Sequence, residues 1–161
     1  MDEKVGAVTA KMSVMDVAKY FLSKSRPGTK WAVTHLKLQK LVYYAQAWYL
    51  ALHHELLFDE RLEAWAHGPV SPVVYRNYRS YGYREIPPCE DDIDVCDEVK
   101  AVLDAVWEVY GHRSARWLEQ KTHMERPWKQ AREGIPSGRR SRAVIDTSLM
   151  EQYYSSLLKS S

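Results

Sequence analysis

At 161 residues the chain has the length of one domain and can bury roughly two thirds of its unfolded surface. Its 45% hydrophobic and 27% charged content and net charge of +2 are those of an ordinary globular protein, and bulk charge neither recruits nor repels nucleic acid. No apolar run approaches the ~18 residues of a membrane span, and the opening MDEKVGAVTAKMS lacks the apolar stretch of a signal peptide, so a cytoplasmic protein is expected. Cys89 and Cys96 match no familiar zinc spacing, and neither metal nor cofactor is expected. Eleven Tyr and six Trp against two Phe suit a wet-edged core or an interface.

Residues 1–12 lack periodicity and read as a flexible arm preceding a helical domain over 13–161. Ser13, with Asp16 three residues on, is a capping-box variant opening a helix whose apolar stripe is Val14, Val17, Ala18, Phe21 and Leu22. Arg26-Pro27-Gly28 stops it. The longest helix is expected from Thr34 to His53, with Leu38, Leu41, Val42, Ala45, Trp48, Tyr49 and Leu52 on one stripe. Leu36 and Leu50 lie off that stripe, so burial on more than one side is expected, and this helix reads as the centre of the fold. ELLFDERLEAWA (55–66) has no clean period, and two short strands or an irregular loop fit it equally well.

The next stretch, Glu63 to Gly82, is dense in Pro, Tyr and Arg. An X-Pro step pushes the preceding residue out of the helical region, which makes Gly68 and Ser71 extended. Ser71 then caps a helix with Pro72 at its first position, and Gly82 ends it. Pro87-Pro88 and the acidic run EDDIDVCDE (90–98) lead into a helix with the stripe Val95, Val99, Val102, Leu103, Val106 and Tyr110. The acidic residues complement its dipole and Gly111 ends it. Ser114 caps a short helix to about Thr122, Pro127 opens another, and Ser148 with Glu151 opens the last. The class is therefore all-α: a single compact domain around a long central helix, with a short irregular or β-hairpin segment near 55–66.

Three groups of residues could carry function. On the helix after Ser71, the 3.6-residue period places Val74, Tyr78 and Tyr81 on the core face and leaves Tyr75, Arg76 and Arg79 beside it. Tyr and Arg on an exposed helix face have the composition of an interface hot spot; a surface helix covering its apolar edges with Arg has the same composition. Trp65 and His67 precede this helix. His67 and His123, with Glu63 or Glu119, could form an acid–base pair for a hydrolase or transferase, although a lone Glu119/His123 i, i+4 pair is no metalloprotease signature and a His near a helix C-terminus has a dipole reason to be there. Residues 126–142 hold six Lys or Arg against one acid, Glu133. That segment could contact phosphates in a nucleic-acid-binding reading or meet an acidic protein surface.

Taken together, VMDVAKYFLSK, LKLQKLVYYAQAWYL, FDERLEAWAHGPVSPVVYRNY and THMERPWKQAR resemble the Panacea domain family of SocA-like antitoxins, found in bacteria and their phages. Leu36, Lys37, Leu38, Gln39, Lys40, Leu41, Tyr44, Ala45 and Gln46 match its first motif. Trp65, Gly68, Pro69, Val70, Pro72 and Tyr75 match the second, and Thr122, His123, Pro127 and Trp128 the third. The resemblance implies a mostly helical, non-enzymatic antitoxin that binds and neutralises a toxin encoded in the neighbouring gene. Some members resemble adaptors that deliver the toxin to a protease. On this reading the partner contacts are Trp65, His67, Tyr75, Arg76 and Arg79, with Arg139 and Arg140 as a charged rim. The arm and the loop carrying Arg139, Arg140 and Arg142 fall outside its motifs and are where toxin choice would be written.

Overall fold

The fold was analysed on a computed structural model, which describes residues 10–159; most of the expected N-terminal arm lies outside them. The described chain runs α1 (Val14–Lys24), α2 (His35–His53), β1 (Glu63–Trp65), β2 (Gly68–Val70), α3 (Pro72–Tyr78), a 3-10 turn (Arg79–Tyr81), α4 (Asp97–Tyr110), α5 (Ala115–His123), α6 (Arg126–Ala131) and α7 (Thr147–Lys159). It is a mostly helical domain carrying one small hairpin. The expected caps at Ser13, Ser71 and Ser114 each accept a backbone N–H two or three residues into their helices. At α7 the cap is displaced: the Ser148 N–H is bonded by Asp146 Oδ1 at 2.9 Å, because Asp146 stands one residue before a helix that already begins at Thr147. A short carboxylate there fills the capping role as well as a hydroxyl does.

α2 is the centre, touching α1, α4, α5, α7 and the hairpin. Fifteen of its nineteen residues are buried, so a single apolar stripe does not describe it. Leu52, expected on that stripe, is 49% exposed although Leu50 and Ala51 beside it are buried, so the last turn of α2 is covered on another face. The polar side chains of Lys37, Gln39, Lys40 and Gln46 are buried instead. Leu41, fully buried at the middle of α2, tests the placement of the core. Leu41→Ala should cost about 2–5 kcal/mol, as buried large-to-small changes do, read from urea unfolding; a loss under about 1 kcal/mol would displace the core from α2.

The tyrosines are a polar knot inside this core. Tyr44 and Tyr154 both donate to Glu125 Oε1, at 2.7 and 2.8 Å, and the Tyr43 and Tyr154 hydroxyls lie 3.0 Å apart. Tyr44 stacks on Tyr110 at 4.1 Å, and Trp48 Nε1 donates to the Tyr110 hydroxyl. Burial, reinforced by Glu125, pushes the Tyr44 phenol far above its usual range. A buried phenol needs a partner, and one carboxylate serves two helices here. Phe at these positions would fill the volume and leave Glu125 with fewer donors.

The hairpin begins inside the segment expected to hold it and runs four residues beyond. Residues 55–62 form no strand, while Glu63 pairs with Val70, Ala64 with Pro69 and Trp65 with Gly68, leaving Ala66-His67 as a two-residue turn. A two-residue loop is the commonest hairpin connection. On the other side of β1, Ala64 donates to the Ala143 carbonyl and Ile145 to the Leu62 carbonyl, so the end of the arginine-rich loop lies along the hairpin.

Candidate functional site

The hairpin and α3 are braced from beneath by α2. Gln39 accepts the Ser71 N–H at 2.8 Å and donates to the Ser71 carbonyl at 3.3 Å. Gln46, two turns later, accepts the Leu57 N–H and donates to the Phe58 carbonyl, both at 2.8 Å. Each amide satisfies a buried extended backbone segment as a neighbouring strand would. Lys40 is fully buried and its ammonium donates to the Pro69 carbonyl at 3.3 Å. Burial pulls its pKa down to about 7, against the opposing pull of Glu119. Gly68, at φ +112, lies on this lysine: a Cβ there would meet Lys40 Cε at 2.5 Å and Thr122 Oγ1 at 3.1 Å.

The third group of motif residues closes the same knot from α5 and α6. The His123 ring stacks on Trp128 at 3.9 Å and 11°, and Trp128 Nε1 donates to the Trp65 carbonyl at 2.9 Å. Leu38, Gln39, Lys40, Gly68, Pro69, Thr122, Pro127 and Trp128 are all buried. They build and hold the hairpin; the outer surface belongs to other side chains.

On the outer side, Trp65 packs edge-on against Tyr75 at 4.9 Å, with the Arg142 guanidinium 5.7 Å from the indole. Tyr75 in turn meets His35 at 5.4 Å and lies under Arg79 at 5.9 Å. Trp65, Tyr75 and Arg79, expected as contacts, therefore form one cluster, joined by His35 and Arg142. Glu63 orients it: buried, it accepts from Trp65 Nε1 at 2.8 Å and Arg61 Nε at 2.7 Å. Arg76 is exposed nearby on α3, and Arg139 and Arg140 are exposed on the loop. Val74 is fully buried, as its face requires, while Tyr78 and Tyr81 are half-buried at the edge of the core. No helical period signals His35 or Glu63: Glu63 shares a face with Trp65 by the two-residue alternation of β1, and His35 reaches Tyr75 through the packing of α2 against α3.

The basic segment 126–142 is not a continuous cationic surface. Arg132 is buried and donates to the Ala64, Pro136 and Arg139 carbonyls, so it tethers the loop to the hairpin. The two histidines lie near one carboxylate: His67 Nδ1 is 3.3 Å from Glu119 Oε2, and burial, despite Glu119, lowers the pKa of His123. His123 Nε2 is buried without a hydrogen-bond partner, whereas His67 is exposed. Two open clefts of about 330 and 340 Å3 lie elsewhere and are lined by none of these three residues. Among the described residues no group of three or more His, Cys, Asp or Glu could hold a metal ion, and no helix is long and apolar enough to cross a membrane.

Residues 38–129, more than half of the chain, match the Panacea domain of SocA-like antitoxins. The chain belongs to this family. The match covers the second and third motifs and the first from Leu38 onward, and leaves α1, the arginine-rich loop and α7 outside it. The chain is also similar to antitoxin SocA of Caulobacter vibrioides, with 41% identity over 54 residues. That stretch covers 34% of this chain and 29% of the relative. No solved structure matches the chain.

Proposed function

We propose that this protein is an antitoxin that neutralises the toxin encoded in its neighbouring gene by binding it, stoichiometrically and without catalysis. The contact is the cluster of Trp65, Tyr75 and Arg79 with Arg76 and His67 beside it, and Arg139 and Arg140 form a charged rim. One observation carries this reading: the buried residues of the family motifs brace a hairpin and α3 from beneath, and Trp65 and Tyr75 of the second motif, with the arginines beside them, are held rigid on top. A rigid Tyr or Arg loses little entropy on binding and has the chemistry of a hot spot. The same complex would let the protein act as an adaptor if a cytoplasmic protease recognises it together with the bound toxin.

Co-expression with the neighbouring gene product tests the reading. The wild-type chain should protect cells and co-purify with the toxin. Arg79→Ala, judged folded by an unchanged melting curve, should cost about 2 kcal/mol of affinity as a hot-spot residue. Normal protection by a variant that carries both Arg79→Ala and Tyr75→Ala would remove this surface from consideration. Adaptor action would show as toxin loss that depends on both the antitoxin and the protease.

A further inference from the structure

Tyr75 is half-enclosed by its neighbours, but a second aromatic nearby is not. Tyr83 is 97% exposed, the most solvent-open of the large apolar side chains among the described residues, in the turn that follows the 3-10 segment. Its backbone is braced all the same. Gly82 at φ +58 reverses the chain, the Gly82 and Arg84 N–H groups bond the Arg79 and Tyr81 carbonyls, and the Ile86 N–H bonds Val33. A lone exposed aromatic is ordinary; this one adjoins Arg84 in a segment that also carries exposed Arg76 and Arg79.

Arg84 is folded back on its own turn, donating to the Tyr81 and Ser80 carbonyls at 3.1 and 2.9 Å with its guanidinium 5.7 Å from the Tyr81 ring. Arg79 opens the 3-10 segment and Arg76 lies three residues before it on α3, both exposed. None of the three has a carboxylate partner among the described residues. Lys30 is exposed on the loop whose Gly28 N–H bonds Glu85 at 2.9 Å; over 76–85 the charge of Glu85 stands alone against Arg76, Arg79 and Arg84. The turn thus carries net positive charge on fixed supports.

We propose that this turn is the centre of the toxin contact and that it takes an acidic patch on the toxin, with Tyr83 seated in a recess ringed by carboxylates. The inference rests on the antitoxin reading above and moves its centre from Tyr75 to Tyr83. A protein fits better than a polyphosphate chain because the acidic run 90–98 adjoins the face. Asp91 pairs with Lys19 at 3.4 Å and lies close enough to Tyr78 to help raise its pKa, after burial and Cys89. A compact partner can meet the basic turn and avoid those carboxylates. A nucleic-acid backbone running past the turn would have to cross them, with phosphate against carboxylate.

The experiment measures binding of the purified neighbouring gene product to the full chain at 50 and 300 mM salt, for wild type, Tyr83→Ala and the double variant Arg76→Glu/Arg84→Glu. Unchanged melting curves establish folding. Tyr83→Ala should weaken binding about 30-fold or more, mainly through faster dissociation. The double variant should slow association about tenfold at low salt and flatten the salt dependence. Wild-type binding that both variants match within about threefold overturns this inference and leaves the antitoxin reading standing; no wild-type binding at all overturns both. Retention of a 20-base-pair DNA duplex or a single-stranded RNA 20-mer by the wild type at 150 mM salt, lost in the double variant, overturns it in favour of nucleic acid.

Discussion

Gly68→Ala should destabilise the protein by about 3–5 kcal/mol and loosen the hairpin. Two costs combine. At φ +112 the residue occupies a region that side-chain-bearing residues enter only with strain of roughly 1–3 kcal/mol. The added methyl would also stand 2.5 Å from Lys40 Cε and 3.1 Å from Thr122 Oγ1, and overpacking of this kind costs about 1–3 kcal/mol more. The far end of a lysine normally yields, but this one is enclosed on all sides. Urea unfolding measures the loss, and a double-mutant cycle with Lys40→Ala divides it. Part of the cost should vanish in the Lys40→Ala background, where the clash is relieved, while the backbone strain remains. A cost below about 1 kcal/mol, or one that Lys40→Ala leaves unchanged, would mean that the lysine is not packed beneath the turn.

Lys40→Met should remove most of a rise in stability between pH 7 and 9.5. The ordinary lysine value is 10.5 and the folded protein holds Lys40 at about 7. Between those values the unfolded chain binds a proton that the native state does not, so stability grows as pH rises. Over that 2.5-unit window, at 1.36 kcal/mol per unit, Lys40 contributes about 3 kcal/mol. Below pH 7 the amine is charged in both states and the contribution stops changing. Lys37, drawn down to about 8 by burial, acts in the same direction, so the variant keeps a smaller slope. Above pH 10 the buried tyrosines, whose pKa values are raised, reverse the trend, because the unfolded chain loses protons that the native state retains. Urea midpoints at pH 7 and 9.5 test this. Equal gains in wild type and Lys40→Met would show that Lys40 keeps its charge by a route to water.

Both predictions fall on residues of the family motifs, and both are about stability. The buried motif residues are therefore a poor place to look for partner specificity. Substitutions there would abolish binding by unfolding the hairpin, and only a melting curve would tell that apart from a lost contact. The surface residues Arg76, Arg79, Tyr83 and Arg84 can be changed with little effect on the core.

Local chemistry wrote the helices into the sequence. Serine caps, Pro72 after Ser71, Gly82 past α3 and the 3.6-residue stripes of α1 and α4 act within a few residues of chain, so they are legible without tertiary knowledge. The family resemblance was legible too, because its motifs are contiguous. The polar core was not. Burial of α2 on more than one side is expected from Leu36 and Leu50, but that Lys40, Gln39 and Gln46 are buried with it is decided by the elements packed around α2, whose backbone partners supply what water would otherwise give. Of the hairpin, a segment near 55–66 was legible but its exact strands were not: a three-residue strand carries too few residues to show a period, and its place is set by Gly68 fitting over Lys40 and by residues 143–145 pairing from the far end of the chain. Of the expected contact surface, sequence supplied Trp65, Tyr75 and Arg79 one by one. Their assembly with His35 and Arg142, and the exposure of Tyr83 beside Arg84, are decided by which side chains the fold consumes and which it leaves to solvent.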